Sequence, residues 1–391
     1  MKKKEIIDVI EKDVLENNAS VLIAGETKEE GDVVIEDESI NDSDEEELIP
    51  STIEQTTQPV SELMDIEDIK GVGTLTATKL REMGIQNISD LSIASATDIH
   101  EKLASSKFSL HFCQSLVVFA DKYMHESGIL DKQIRTCRDA LQDELTRDRF
   151  STGDPLLDEW LGGGIESRAV TEFYGRFKSG KTQICDCIAI TAANNGQNVL
   201  FIDTENTFSA LRVKEIASNK KLDVDKVLDN IKVMPTRTAS MLSINVKELP
   251  RHIKESNIKV IIVDSIIALH RAEFTGRSSL ASRQQELGHI MSYLVKCALH
   301  YNVAVIFTNQ VLDSPDPFKP GQFATGGNII GHGSTHRILL KPHTPTRQGG
   351  NRSFSTAVME DSPRYGRTEL MIELGPYGVR GIDPSKPMPK A

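Results

Sequence analysis

From Ser151 onward, short runs rich in Val, Ile and Phe alternate with longer stretches of helical character: "AVTEFYG", "NVLFIDTE", "KVIIVDS" and "NVAVIFTNQ" are the strand-like ones. Apolar runs of this length, spaced too widely for hairpins, predict buried strands joined by helical crossovers. The expected fold is therefore a doubly wound α/β domain with a mostly parallel sheet, over residues 151–391. Upstream the period changes. Over residues 63–124, "IEDIKGVGTLTATKLREMGI", "SDLSIASATDIHEKL" and "FSLHFCQSLVVFADKYM" repeat apolar residues at helical spacing between Gly or Ser breaks, predicting a small all-helical domain. Residues 125–150 read as a charged linker with one helical portion. Residues 1–62 have no sustained period; their Ser/Thr/Gln/Pro-rich and acidic stretches cannot offset the entropy of ordering, so a mostly disordered tail is expected.

Charge sharpens this picture. The net charge of −12 disfavours nucleic acid only if it is spread evenly, and it is not. Residues Thr27 to Leu48 hold eleven acidic residues against one lysine. That run is either a solubilising tail, an autoinhibitory mimic of DNA, or a tether for a partner. No apolar run is long enough to span a bilayer, so no membrane association is expected, and the lysine-bearing start lacks the apolar core of a secretory signal. Five irregularly spaced cysteines argue against a disulfide framework and for a reducing compartment. Cys185 and Cys187 lack a second ligand pair and fall where a buried helix is expected, so packing is their expected role.

The chemistry centres on "YGRFKSGKTQ". Gly175 to Thr182 match G-x-x-x-x-G-K-[ST] between a predicted strand and a predicted helix. Gly175 and Gly180 allow a tight turn, with Arg176, Phe177, Lys178 and Ser179 between them. Backbone amides and the helix start would face phosphates, Lys181 would neutralise β/γ charge, Thr182 would offer its hydroxyl to magnesium, and Gln183 follows in the helix. Asp264, at the carboxyl end of "KVIIVDS", is placed to hold the magnesium shell. Asp203 and Glu205 end another strand; Glu205 is the candidate general base, although either acid could instead cap the next helix. Asn309 and Gln310 end a fourth strand, and Gln310 is the candidate γ-phosphate sensor.

Three features face outward. Gly71-Val72-Gly73 sits between two short helices, and such a turn either approaches DNA phosphates through backbone amides or simply closes a helical hairpin. "HRAEFTGRSSLASRQQ" alternates Arg271, Arg277 and Arg283 with Phe274, a composition suited to a single-stranded backbone or to a solvated loop. "VLDSPDPFKPGQFATGG" has no regular period and carries Phe318, Lys319 and Phe323. Its attachment after Gln310 links it mechanically to the phosphate end of the site.

Taken in order, "STGDPLLDEWLGGGIES", the phosphate loop, "FIDTENTF", "RAEFTGRSSLASRQQ", "TNQV" and "GGNIIGHGSTHRILL" resemble the archaeal RadA recombinases, relatives of bacterial RecA, over Ile66 to Ile382. The resemblance implies a RecA-like P-loop ATPase core preceded by a helix-hairpin-helix domain. It also implies a filament, or ring, of identical subunits on single-stranded DNA that uses ATP and Mg2+ to pair that strand with homologous double-stranded DNA. It gives Lys181 and Thr182 to phosphate and metal, Glu205 to water activation, Asp264 to metal and Gln310 to sensing. Arg271, Phe274, Arg277 and Arg283 fall on its first DNA-binding loop, and residues 311–325 on its second. Recombination mediators and a single-strand-binding protein are implied as further partners, and the cytoplasm, on the nucleoid, as the location.

Three departures stand out. Arg176 replaces the glutamate that the family usually has after its first glycine. The linker peg, usually Phe-x-x-Ala, corresponds here to Ile134-Arg135-Thr136-Cys137. The Asp and Pro that cap a neighbouring ATP are not evident near Pro320 to Ala324. These departures keep a second reading open, a paralogue that assists a recombinase without exchanging strands; a RecA-like helicase is a third.

Overall fold

The computed structural model describes residues 64–103, 108–130, 134–274, 276, 279–313, 322–343, 353–383 and 385. The expected tail lies outside the described residues, as do Arg277, Phe318 and Lys319. The chain folds as two compact units that part between residues 132 and 133, inside the segment read as a linker.

The first unit is all-helical. A 3-10 turn, Ile66–Asp68, precedes α1 (Thr74–Glu82), α2 (Ile88–Ile93), α3 (Ala96–Leu103) and α4 (Leu110–Glu126). Helix starts are set locally: Asn87 Oδ1 accepts from the Asp90 amide at 3.1 Å, and Ser109 Oγ accepts from the Phe112 amide at 3.1 Å. Ile66, Leu80, Ile88, Leu91, Ile99 and Leu116 are among the side chains that fill its core.

The second unit opens with α5 (Cys137–Thr146), whose start is a capping box. Thr136 Oγ1 accepts from the Asp139 amide, and Asp139 Oδ2 accepts from the Thr136 amide. There follow β1 (Arg149–Phe150), α6 (Pro155–Trp160), β2 (Ile165–Glu166), β3 (Val170–Gly175), α7 (Lys181–Asn194), β4 (Asn198–Asp203), α8 (Ala210–Asn219), α9 (Val224–Asn230) and β5 (Ile231–Pro235). Next come α10 (Ala239–Lys247), α11 (Leu249–Ser256), β6 (Ile258–Asp264), α12 (Ala268–Glu273), α13 (Leu280–Tyr301), β7 (Ala304–Asp313), β8 (Gln322–Ala324) and α14 (Gly327–Gly333). β9 (His336–Pro342), β10 (Ser353–Asp361), β11 (Glu369–Gly375) and β12 (Gly378–Gly381) close the unit.

The main sheet runs β12-β11-β10-β9-β3-β7-β6-β4-β5, parallel from β9 to β5 and antiparallel from β9 outward to β12. β6 is buried along nearly its whole length, as its unbroken apolar run requires when both sheet faces are covered. α7 buries residues all round because it packs against the sheet and against α8 and α9 together. Cys185 and Cys187 lie in that core, and Cys187 Sγ accepts a hydrogen bond from the Val379 amide. Among the described residues, no helix is long and apolar enough to cross a membrane.

Part of the segment after Gln310, aperiodic by sequence, is regular. β7 runs through Val311 to Asp313 and pairs antiparallel with β8, matching Val311 to Ala324 and Leu312 to Phe323. Backbone pairing needs no side-chain period, so a short hairpin base of this kind leaves little trace in hydropathy.

Candidate active site

Strand register assembles the site. Gly175 lies opposite Gln310, and Asp203 opposite Asp264, so the phosphate loop, the amide and two acids share the carboxyl edge of the sheet. The loop leaves β3 at Gly175 and enters α7 through Gly180, whose φ of 99° is left-handed and whose Cβ would meet Leu374 at 2.7 Å. Only glycine satisfies both demands. α7 has no side-chain N-cap, which leaves its first amides for an anion. Lys181 Nζ donates to the carbonyls of Gly175 (3.1 Å) and Arg176 (3.0 Å). Burial lowers its pKa, opposed by the carboxylates of Asp264 and Glu205. Ser179 is buried and its hydroxyl has no hydrogen-bond partner, an orphan polar atom inside the cradle. Phe177 is 85% exposed with Lys178 Nζ 5.6 Å from its ring centroid, and Arg176 is exposed as well. The Arg176 side chain is therefore on the surface of the loop, while its carbonyl closes the turn by accepting from the Ser179 amide at 3.2 Å.

Thr182 Oγ1 donates to Asp264 Oδ2 at 2.7 Å, and Thr308 Oγ1 donates to Asp264 Oδ1. Asp264 is buried, and burial raises its pKa against the pull of these two hydroxyls. A hydroxyl and a carboxylate are hard oxygen donors of the kind magnesium takes. Among the described residues no cluster of three or more acidic, His or Cys side chains offers an all-protein cage. Two protein oxygens completed by substrate phosphates and water fit that ion's habit. Behind them on α7, the buried Asp186 is pushed up to about 7, chiefly by burial and then by Asp264, with Arg212 pulling the other way.

The two acids after β4 divide their work. Asp203 accepts from the amides of Thr207 (3.2 Å) and Phe208 (3.1 Å), bracing the loop before α8, whose N-cap is Ser209. Glu205 is exposed at the sheet edge; its Oε1 accepts from Ser265 Oγ at 2.7 Å and from Gln310 Nε2 at 2.9 Å. Gln310 Oε1 in turn accepts from Arg271 Nη1 at 2.6 Å. Arg271, read from the sequence as facing DNA, thus reaches the same cluster.

The sequence places Asn309 only at the sheet edge, and it does not single out Glu172, Thr325, Arg337, Thr204, Ser265 or Arg212. Asn309 is buried and donates to Glu172 Oε1 (2.8 Å) and to the Thr325 carbonyl (2.7 Å), while Arg337 Nε donates to Glu172 Oε2 at 2.6 Å. The Gln310 carbonyl accepts from both the amide and the hydroxyl of Thr325 at 2.8 Å. Thr204 Oγ1 donates to the Ser265 carbonyl at 2.6 Å. One signal existed: Glu172 lies inside the apolar run "AVTEFYG", and a charge buried in a strand demands a partner. Arg212 Nη2 donates to the Gly375 carbonyl (2.6 Å) and to Gln183 Oε1 (3.4 Å), flanking the start of α7.

The remaining sequence-flagged residues take no part in the hydrogen bonds just described. On α12 and just beyond, Phe274 stacks on His270 with ring centroids 5.8 Å apart, and Arg283 sits on α13. Phe323 is exposed on β8. Ile134 is 92% exposed, and the exposed Cys137 opens α5. In the first unit, Gly71 has φ 89° and a Cβ there would meet the Phe112 ring at 3.1 Å. Gly73 precedes α1 without a side-chain cap and has open space around it.

A parallel α/β sheet carrying a phosphate loop, a buried acid bonded to the loop threonine, and a glutamate and glutamine at the same edge define a P-loop nucleotide-binding protein of the RecA-like class. The Rad51 family model matches residues 146–382. The chain is also 38% identical over 330 residues to a DNA repair and recombination protein RadA of Cenarchaeum symbiosum (strain A), covering 82% of this chain and 80% of that one. The chain belongs to the Rad51 family, on its RadA branch.

Proposed function

We infer that the chain is a DNA recombinase, a DNA-dependent ATPase of the RecA class acting in homologous recombination and DNA repair. It assembles on single-stranded DNA and exchanges that strand with a homologous duplex. The observation that carries this reading is the hydrogen-bonded series Ser265, Glu205, Gln310 and Arg271 beside the phosphate loop, in a member of the Rad51 family.

In the proposed mechanism, the amides of residues 176–182 hold the nucleotide phosphates, and Lys181 leaves the two loop carbonyls to neutralise β/γ charge. Magnesium, held by Thr182 and Asp264, would supply charge neutralisation at those phosphates. Glu205 takes a proton from the attacking water, and Gln310 distinguishes the nucleotide with its γ-phosphate from the one without. Residues 63–124 act as a helix-hairpin-helix module that holds duplex phosphates through the amides at Gly71 and Gly73. Arg271, Phe274, Arg277, Arg283, Phe318, Lys319 and Phe323 face single-stranded DNA. Ile134 and Cys137 take the place of the usual peg between subunits, so that a filament or ring forms through 125–150. The protein works in the cytoplasm on the nucleoid, with mediators and a single-strand-binding protein as partners. The reading as a non-exchanging mediator is not favoured, because the hydrolytic residues are retained together.

The test is strand exchange between a labelled single strand and a homologous duplex with ATP and magnesium, comparing the intact chain with Lys181→Ala. Homology-dependent product from the intact chain and none from the variant is the expected result. Failure of the folded, ATP-binding intact chain to form product would refute strand exchange.

A further inference from the structure

We propose that Arg271 is a latch that holds the hydrolytic carboxylate at rest until single-stranded DNA draws it away. The proposal rests on the reading of Glu205 as the water-activating residue and of the α12 region as DNA-facing. It gives Arg271 a positioning role beyond that of a phosphate ligand.

The geometry is a chain of three side-chain hydrogen bonds within one unit. Arg271 Nη1 donates to Gln310 Oε1 at 2.6 Å, Gln310 Nε2 donates to Glu205 Oε1 at 2.9 Å, and Ser265 Oγ donates to the same oxygen at 2.7 Å. A carboxylate oxygen has two lone-pair directions, and both on Oε1 are filled by protein donors, so the carboxylate is held in one orientation and only its other oxygen is left for a water. The Gln310 amide is pinned at both ends. It turns toward a γ-phosphate only by giving up Arg271, Glu205 or both. Its backbone is meanwhile fixed, because its carbonyl accepts from the amide and hydroxyl of Thr325. The mobile part of this unit is the side chain alone.

The choice of acceptor makes the latch releasable. Arg271 is half-buried, and this bond spends its guanidinium on a neutral amide oxygen. The acid nearest in sequence, Glu273, instead accepts from the Ala239 amide through Oε1 at 2.9 Å. A phosphate oxygen is a stronger acceptor, since bonds to an ionised group are about twice as strong as neutral ones. DNA arriving at α12 therefore outcompetes Gln310 for Arg271. The freed amide can meet the γ-phosphate, and Glu205 Oε1 keeps only the Ser265 donor. DNA occupancy and hydrolysis are then coupled through one arginine, with no movement of the sheet.

The experiment is steady-state ATP hydrolysis by the full chain, wild type, Arg271→Met and Arg271→Lys, with and without single-stranded DNA. It resolves kcat, KM for ATP and the half-saturating DNA concentration. Arg271→Met is expected to raise the DNA-free kcat about tenfold, the scale of one lost hydrogen bond to a charged group, with KM for ATP unchanged and the stimulation by DNA reduced in proportion. Arg271→Lys, which keeps a donor for Gln310, is expected to rise only about threefold. A DNA-free kcat equal to or below wild type in both variants, with only the half-saturating DNA concentration increased, would make Arg271 an ordinary phosphate ligand and overturn the latch. Should the methionine variant not fold, the lysine variant decides by the same criterion. A wild-type chain whose hydrolysis ignores DNA would overturn the latch through the recombinase reading itself, a result separate from either variant.

Discussion

Glu166 offers a measurement of how strongly one buried charge holds the second unit together. It is 3% exposed, at the end of β2, and Arg147 Nη1 donates to it at 3.2 Å. Arg364 donates to its other oxygen, His336 Nε2 lies 3.2 Å away and Arg149 Nη2 3.8 Å away. Burial alone would raise its pKa. His336, Arg364 and Arg149 outweigh burial and hold it at about 2, below the ordinary 4.5. The sign is that of a depressed acid: the stabilisation is fully present above 4.5 and is lost as pH falls from there toward 2. A shift of that size corresponds to about 3 kcal/mol, and breaking a buried ion pair by removing one partner costs about 3–5 kcal/mol, so two routes agree near 3. Glu166→Gln should therefore lower unfolding stability by about 3 kcal/mol at pH 7, with the difference from wild type shrinking as pH falls below about 4.5. The assay is urea unfolding followed by fluorescence of Trp160, the single tryptophan of the chain, which packs against the core of the second unit and so reports that unit alone. A difference below about 1 kcal/mol at pH 7 would mean that the cations around Glu166 contribute no more than a surface pair, and the reasoning would fail.

Asp186 should behave in the opposite sense. Its pKa is raised from 3.8 to about 7, so its ionisation penalises the folded state increasingly as pH rises through that window; Asp186→Asn should raise the thermal midpoint of the unliganded protein at pH 8 by a few degrees and leave it nearly unchanged near pH 4. Calorimetry at both pH values checks this, and an equal effect at both would refute it. In the first unit, Gly71→Ala places a side chain at φ 89° and 3.1 Å from Phe112, so it should destabilise that unit by roughly 1–2 kcal/mol by circular dichroism. Gly73→Ala meets open space and should leave folding intact, so any loss of duplex binding in a filter assay would report the amide contact directly.

How much was legible in the sequence follows the range of each interaction. The strands β3, β4, β6 and β7 were readable because a strand covered on both faces is dominated by apolar residues, a signal that survives Glu172 in β3. β5 and β9 to β12 were harder, since strands at or beyond the parallel core mix exposed and buried positions. The phosphate loop was legible because backbone geometry demands glycine at fixed spacing, and Gly180 at φ 99° shows the demand. Glu205 was the candidate base by sequence, but the same pattern left helix capping open for both it and Asp203, two residues apart after one strand. That Asp203 braces the following loop while Glu205 faces Gln310 depends on the tertiary placement of the donors, which no local pattern records.

The sequence by itself therefore determined the parallel core, the phosphate loop and the identity of the acids and amides at its strand ends, because each follows from short-range periodicity or from backbone conformation. Only the tertiary structure decided that Arg271, Gln310, Glu205 and Ser265 form one series, that Glu172 joins Asn309 to Arg337, and that Glu166 gathers cations from segments as distant as Arg147 and Arg364. Those pairings join residues 19 to 198 positions apart, and such contacts exist only once strand order and register are set.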